Sequence, residues 1–187
     1  MGLRPSKRLP LIAALTFAVA AGALLPAGCR GSARAKSESA SPGTASLPTV
    51  ACGESIGYAK SGHEDGYRVV LGVISVPPAH LRQVVATHNQ PWRYWRKAGL
   101  VLRTGNPSVV VSVAKAWRRR AAVTWGSSGT VSVLRVEGCP PAPAGWRAYA
   151  GGFYLRSPSA CVPLVFRVGQ RAATLRFGIG RRCDATS

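Results

Sequence analysis

His63-Glu64-Asp65 is the one place in this chain where an imidazole and two carboxylates stand together, the residue types that hold a divalent metal or move protons. Ser61-Gly62 before it and Gly66 after it mark a loop, so a metal site there needs further ligands from elsewhere, and a polar turn is the structural alternative. His80 and His88 lack a nearby carboxylate to orient them. No G-x-S-x-G elbow, H-E-x-x-H, phosphate-binding loop or S-x-x-K occurs. Acids are scarce: after the first 29 residues only Glu38, Glu54, Glu64, Asp65, Glu137 and Asp184 remain, which argues against paired-carboxylate catalysis.

Bases are abundant instead. Trp92-Arg93-Tyr94-Trp95-Arg96-Lys97 interleaves rings with cations, a composition suited to stacking on sugars and pairing with phosphate or carboxylate. Its structural reading makes Trp92 and Trp95 core anchors with arginine stems packed over Tyr94. Trp117, Trp125 and Trp146 lie in or beside strand patterns and read as core. Arg118-Arg119-Arg120 is a second cluster, at a connection between strands, where a run of like charge is ordinarily a solvated loop. The candidate anion-binding residues are therefore Arg93, Arg96, Lys97, Arg118, Arg119 and Arg120, and they form one patch only if the fold joins the two clusters.

The whole chain points the same way, with 25 bases against 6 acids in 187 residues. Without Arg4, Lys7 and Arg8 there remain 22 bases against 6 acids, a net charge of +16. Such a surface attracts polyanions over about 8–10 Å at physiological salt. A preference for arginine codons in a GC-rich genome is the competing explanation of the same composition.

What must position these residues is a set of short β-rich runs broken by Gly, Pro, Asn and Ser. Strands are expected at Tyr67–Val76, Leu100–Arg103, Ser108–Ala114, Ala121–Trp125, Thr130–Glu137, Trp146–Arg156, Pro163–Val168 and Ala172–Ile179, with clear alternation over Thr130–Val136 and Leu164–Val168. Runs at this spacing predict a mainly β domain, an antiparallel sandwich or barrel. Gly169-Gln170 has the makings of a tight hairpin turn. Gly151-Gly152 reads as a bulge or bend interrupting its strand, and the same is expected at Gly178 and Gly180. One short helix is expected over Pro78–His88, with Leu81, Val84, Val85 and His88 on one face and Asn89-Gln90-Pro91 ending it.

Ahead of the domain, residues 50–187, lies a different kind of sequence. Arg4, Lys7 and Arg8 precede an uncharged run from Leu9 to Gly28, the profile of a signal peptide over residues 1–28. Residues 29–49 are small and polar and read as a flexible tether, reaching a few tens of ångströms at about 5–6 Å times the square root of residue number. At their junction Leu25-Pro26-Ala27-Gly28-Cys29 resembles the lipobox of bacterial lipoproteins, differing from it in carrying Pro26 where leucine is usual. The resemblance covers about the first 30 residues and implies that Cys29 is lipidated, becomes the first mature residue and anchors the chain on the outer side of a membrane. Cleavage after Ala33-Arg34-Ala35, releasing a secreted protein, and retention of the apolar run as an anchor remain alternatives.

Setting Cys29 aside leaves Cys52, Cys139, Cys161 and Cys183, an even set without C-x-x-C spacing. In an oxidising compartment they form two disulfides with three possible pairings. Cys161 with Cys183, flanking the predicted hairpin, and hence Cys52 with Cys139, is the favoured one. Function is then expected to be that of a lipid-anchored, non-enzymatic envelope domain without a cofactor. Its partner would be a protein, a lipid headgroup or an anionic wall polymer rather than a specific nucleic acid. The alternative is a secreted or anchored hydrolase or metal-dependent enzyme built around His63-Glu64-Asp65.

Overall fold

The structure is a computed structural model that describes residues 46–63, 66–143 and 145–184. Cys29, the signal-like segment, most of the tether, Glu64 and Asp65 lie outside the described residues. Within them the chain is mainly β, in three sheets with antiparallel pairing predominant and no closed barrel, consistent with a sandwich. No described helix is long and apolar enough to cross a membrane.

The largest sheet runs in the order β1 (Thr49–Val50), β11 (Val133–Val136), β9 (Val109–Val113), β14 (Ala160–Val168), β15 (Arg171–Ile179) and β5 (His80–Leu81). Its two edge pairings, β1 with β11 and β5 with β15, are parallel. The second sheet is β10 (Ala121–Trp125), β13 (Gly151–Leu155), β7 (Tyr94–Lys97) and β6 (Val85–Ala86). A third sheet contains β2 (Gly57–Ala59), β12 (Trp146–Tyr149), β8 (Leu100–Arg103), β4 (Ile74–Val76) and β3 (Arg68–Val70).

Period-two burial explains why these segments are strands. β9 buries Val109, Val111 and Val113 and half-exposes Val110 and Ser112. β14 buries Leu164, Phe166 and Val168 and turns Arg167 to solvent. Phe153 from β13 meets Phe177 from β15 between the sheets with centroids 5.4 Å apart, and within its own sheet it meets Trp125 from β10 at 6.4 Å, both within the range that favours tilted or edge contacts. Trp125 is 2% exposed, and its indole N–H is satisfied by the Ala98 carbonyl at 2.9 Å.

Leu100–Arg103 and Ala121–Trp125 are strands with the predicted bounds, and Gly169-Gln170 is the hairpin turn, with Gly169 at φ 56°. Three expectations are corrected. Tyr67–Val76 is not one strand but the hairpin β3–β4, turned at Leu71 and Gly72, both with positive φ; Gly72 accepts that conformation freely and Leu71 does so at a cost. Trp146–Arg156 divides at Ala150 into β12 and β13, which belong to different sheets, so the break precedes the glycine pair. Those glycines lie inside β13 because neighbouring backbone comes too close for a side chain: a Cβ on Gly152 would stand 2.1 Å from the Arg96 carbonyl oxygen.

The predicted helix over Pro78–His88 is absent. That segment forms β5 and β6 with extended chain between them. Its intended apolar face does not exist, since Leu81 is buried while Val85 is 59% exposed. Sheet partners satisfy the backbone instead: Gly178 N–H bonds to the Ala79 carbonyl, Gly180 N–H to Leu81, and Thr87 N–H to Arg93.

Both favoured disulfides are present. Cys52 pairs with Cys139, tying the first turn of the domain to the segment after β11, and Cys161 on β14 pairs with Cys183 beyond β15. A disulfide sulfur carries no proton, so the Tyr149 hydroxyl donates to Cys139 Sγ at 3.2 Å.

Candidate anion-binding face

The second sheet divides the interleaved cluster by its pleat. Residues directly opposite one another on antiparallel strands share a face, and alternate residues face opposite ways. Ala121 pairs with Leu155 and Leu155 with Tyr94, so one step further the ladder aligns Arg120, Arg156 and Arg93. A hydrogen bond from Arg156 N–H to the Arg120 carbonyl at 3.2 Å carries the β10–β13 ladder to that step, and one from Thr87 N–H to the Arg93 carbonyl at 2.7 Å ties Arg93 to the β6 side of the sheet. All three arginines are exposed. The next row on the same face holds Trp95 and Tyr154, whose ring centroids lie 4.7 Å apart, and the row after it ends in exposed Lys97.

Two of these arginines are stacked on indole rings. The Arg120 guanidinium carbon stands 5.3 Å from the Trp117 ring centroid and that of Arg156 stands 5.5 Å from Trp92, both at cation–π distance. Stacking fixes the carbon stem and leaves the N–H edge of the planar group free to meet an oxyanion. Trp117 arrives there because a 3-10 turn, Lys115–Trp117, leads into β10 through Arg118-Arg119-Arg120.

Beside this row lies a cavity of about 390 Å³ lined by Trp117, Arg120, Arg156, Ser157, Ser159, Ala160, Cys161 and Arg181. Three guanidiniums, an indole and two serines therefore converge on one concavity, and no carboxylate is among its walls. Arg181 reaches Asp184 at 4.0 Å, an exposed contact at the outer limit of an ion pair.

The six predicted anion-binding residues separate. Arg93 and Arg120 meet on the stacked row and Lys97 lies further along the same face. Arg96 alternates to the opposite side of β7, where its Nε is buried without a hydrogen-bond partner beside a recess that it lines together with Lys97, Tyr67, Pro77, Pro78 and His80. Arg118 turns inward at its Nε, which donates to the Val113 carbonyl at 3.2 Å, and Arg119 is exposed. Arg156 and Arg181 were missed, because Arg156 closes a strand pattern and gains its neighbours only through cross-strand pairing, and Arg181 follows β15 and reaches the cavity only through the fold of the chain beyond that strand. Of the five tryptophans read as core, Trp125 is buried and Trp117 is half-buried and packed against the core, while the reading is corrected for Trp92, Trp95 and Trp146, which are half-buried outside it.

His63 is exposed at a turn, with its N–H on the Ser61 hydroxyl. His80 lies in β5 and His88 beyond β6, on separate elements. Among the described residues no three His, Cys, Asp or Glu side chains group closely enough to hold a metal. No protein family model matches the chain, and no curated protein does.

Proposed function

We propose that this chain is an extracytoplasmic binding domain, held at the membrane through Cys29, that docks phosphate-bearing anions on the row Arg93–Arg156–Arg120 and the cavity beside it. The observation that carries this reading is the alignment of three exposed guanidiniums across adjacent strands, two of them braced on indole rings, beside a cavity with no carboxylate in its lining. Braced cations lose less side-chain freedom on binding than free lysines do. Their transverse spacing of roughly 5 Å suits successive oxyanions better than a single small ion. Two disulfides support an oxidising compartment, and the lipobox-like residues support the anchor.

Phosphate is presented both by soluble polymers and by lipid headgroups. Binding of soluble polyphosphate and of vesicles containing phosphatidylglycerol, each compared with neutral phosphatidylcholine vesicles, separates the two sources. Salt-dependent binding to one of them, lost in Arg93→Ala/Arg120→Ala/Arg156→Ala, is the expected result. Binding indifferent to salt, or unchanged in that variant, overturns the reading. Mass spectrometry of the mature N-terminus tests the anchor, with acylated Cys29 expected and a chain beginning at Lys36 overturning it.

A further inference from the structure

Strand β15 is paired with β14 along all nine residues, but on its other side only Gly178 and Ile179 are taken, by β5. In a two-residue hairpin the closing pair, here Val168 with Arg171, is hydrogen-bonded. Residues 171, 173, 175 and 177 therefore turn their N–H and C=O groups toward β14, and Ala172, Thr174 and Arg176 turn theirs outward. Gly178, next in the outward series, confirms the phase: its N–H meets the Ala79 carbonyl at 2.7 Å. Among the described residues no group meets the outward backbone of Ala172, Thr174 or Arg176, and all three residues are exposed. About 14 Å of sheet edge is open there, at about 3.4 Å per residue.

This edge ends in a built recess. Where β5 joins β15, Ala79, His80, Arg176, Arg182 and Cys183 enclose about 190 Å³, with two guanidiniums and no carboxylate in the wall. Arg182 is brought there because the chain after β15 folds back over Gly178. A Cβ on Gly178 would stand 2.3 Å from the Arg181 carbonyl oxygen, so only glycine permits the crossing, and the Cys161–Cys183 disulfide clamps it.

We propose that the free edge of β15 and this recess together bind the extended C-terminus of a partner polypeptide by strand addition. The terminal carboxylate sits between Arg176 and Arg182. Direction follows from β5, which runs parallel to β15 and begins at the recess. A peptide laid in line ahead of β5, in the same sense, arrives there with its C-terminus, and the two arginines match a carboxylate and repel an ammonium. Charge also selects against a second copy of this chain, since each carries a net +16 even without Arg4, Lys7 and Arg8.

The test uses the full chain and the peptide acetyl-Thr-Val-Thr-Val-Val, as the free acid and as the C-terminal amide, followed by amide NMR. The free acid is expected to shift and protect the amides of Ala172, Thr174 and Arg176 and to bind at least tenfold more tightly than the amide. Arg176→Ala/Arg182→Ala should erase that tenfold difference. Thr174→Pro removes one outward N–H and none that faces β14, so it should abolish peptide binding while polyphosphate binding persists. Equal affinity for acid and amide, shifts confined to the Arg93–Arg156–Arg120 face, or self-association that Thr174→Pro removes would each overturn the proposal. Retention of polyphosphate binding reports folding and keeps failure here distinct from failure of the anion-binding reading.

Discussion

Arg156 donates its backbone N–H to the carbonyl of Arg120 at 3.2 Å, extending the β10–β13 ladder one step past its last named pair. That bond places two guanidiniums side by side although their codons are distant, and each then stacks on its own tryptophan, Arg120 on Trp117 and Arg156 on Trp92. Exposed cation–anion contacts of this kind are worth about 0.2–1 kcal/mol each. Arg120→Ala and Arg156→Ala should therefore each weaken polyphosphate binding by up to about fivefold, and the pair should act non-additively because the two groups share a ligand. Titration in low and moderate salt checks this; two fully additive effects would place the arginines on separate ligands.

The tryptophans report the same geometry optically. Trp92 and Trp117 each lie beneath a cation and Trp125 lies in the core. Iodide, drawn to the guanidiniums, should quench the fluorescence more strongly than caesium does, and polyphosphate should protect against it. Trp92→Phe/Trp117→Phe should remove most of that iodide preference. Equal quenching by the two ions in the native chain contradicts a positive field over those rings.

How far the sequence revealed this arrangement depends on whether a feature is local. Strand Ala121–Trp125 was legible because its burial follows from its own residues. The turn at Gly169-Gln170 was legible because glycine supplies the positive φ. Tyr67–Val76 misled because the apolar run has no polar residue at its turn, where Leu71 takes positive φ against its preference. The helix expected over Pro78–His88 failed because sheet edges compete for the same backbone groups: β15, which takes β5, lies far along the chain, and β7, which takes β6, follows soon after it as a strand the local pattern did not show. Arg93 and Arg120 were identified from composition, yet their alignment through Arg156 is a property of register. Cysteine pairing was favoured from a hairpin flanked by two thiols, a local feature again.

The two disulfides close loops of different length, 87 residues for Cys52–Cys139 and 22 for Cys161–Cys183. On the chain-entropy account their removal costs about 4.5 and about 3 kcal/mol respectively. Urea unfolding of Cys52→Ala/Cys139→Ala and Cys161→Ala/Cys183→Ala should give that order. The second variant should also lose protection from hydrogen exchange around Arg181–Cys183, since the disulfide clamps that segment over Gly178. A reversed order of stabilities would point to unfolded-state structure or local packing outweighing loop length.

Glu54 makes stability depend on acid. Its Oε1 accepts the Ala51 N–H at 2.8 Å and its Oε2 accepts the Ser127 N–H, joining the start of the domain to the turn after β10. These contacts favour the carboxylate, the Ala51 backbone most and then the Ser127 side chain and backbone, and hold the carboxyl below its ordinary 4.5. The folded state thus binds this proton more weakly than the unfolded chain. Its stabilising contribution is complete above about pH 4.5 and is lost as pH falls through the lower folded value. Glu54→Gln leaves one acceptor for Ala51 but turns an amide NH2 toward the Ser127 N–H, so the variant should melt below the native chain at pH 7. That difference should begin to narrow below about 4.5, where the unfolded chain takes up this proton, and close once pH has fallen through the lower folded value, where the native carboxyl is itself protonated. Melting curves of both proteins from pH 7 to about pH 3 decide the matter: a gap that stays constant across that range would mean that Glu54 acts through shape, not charge.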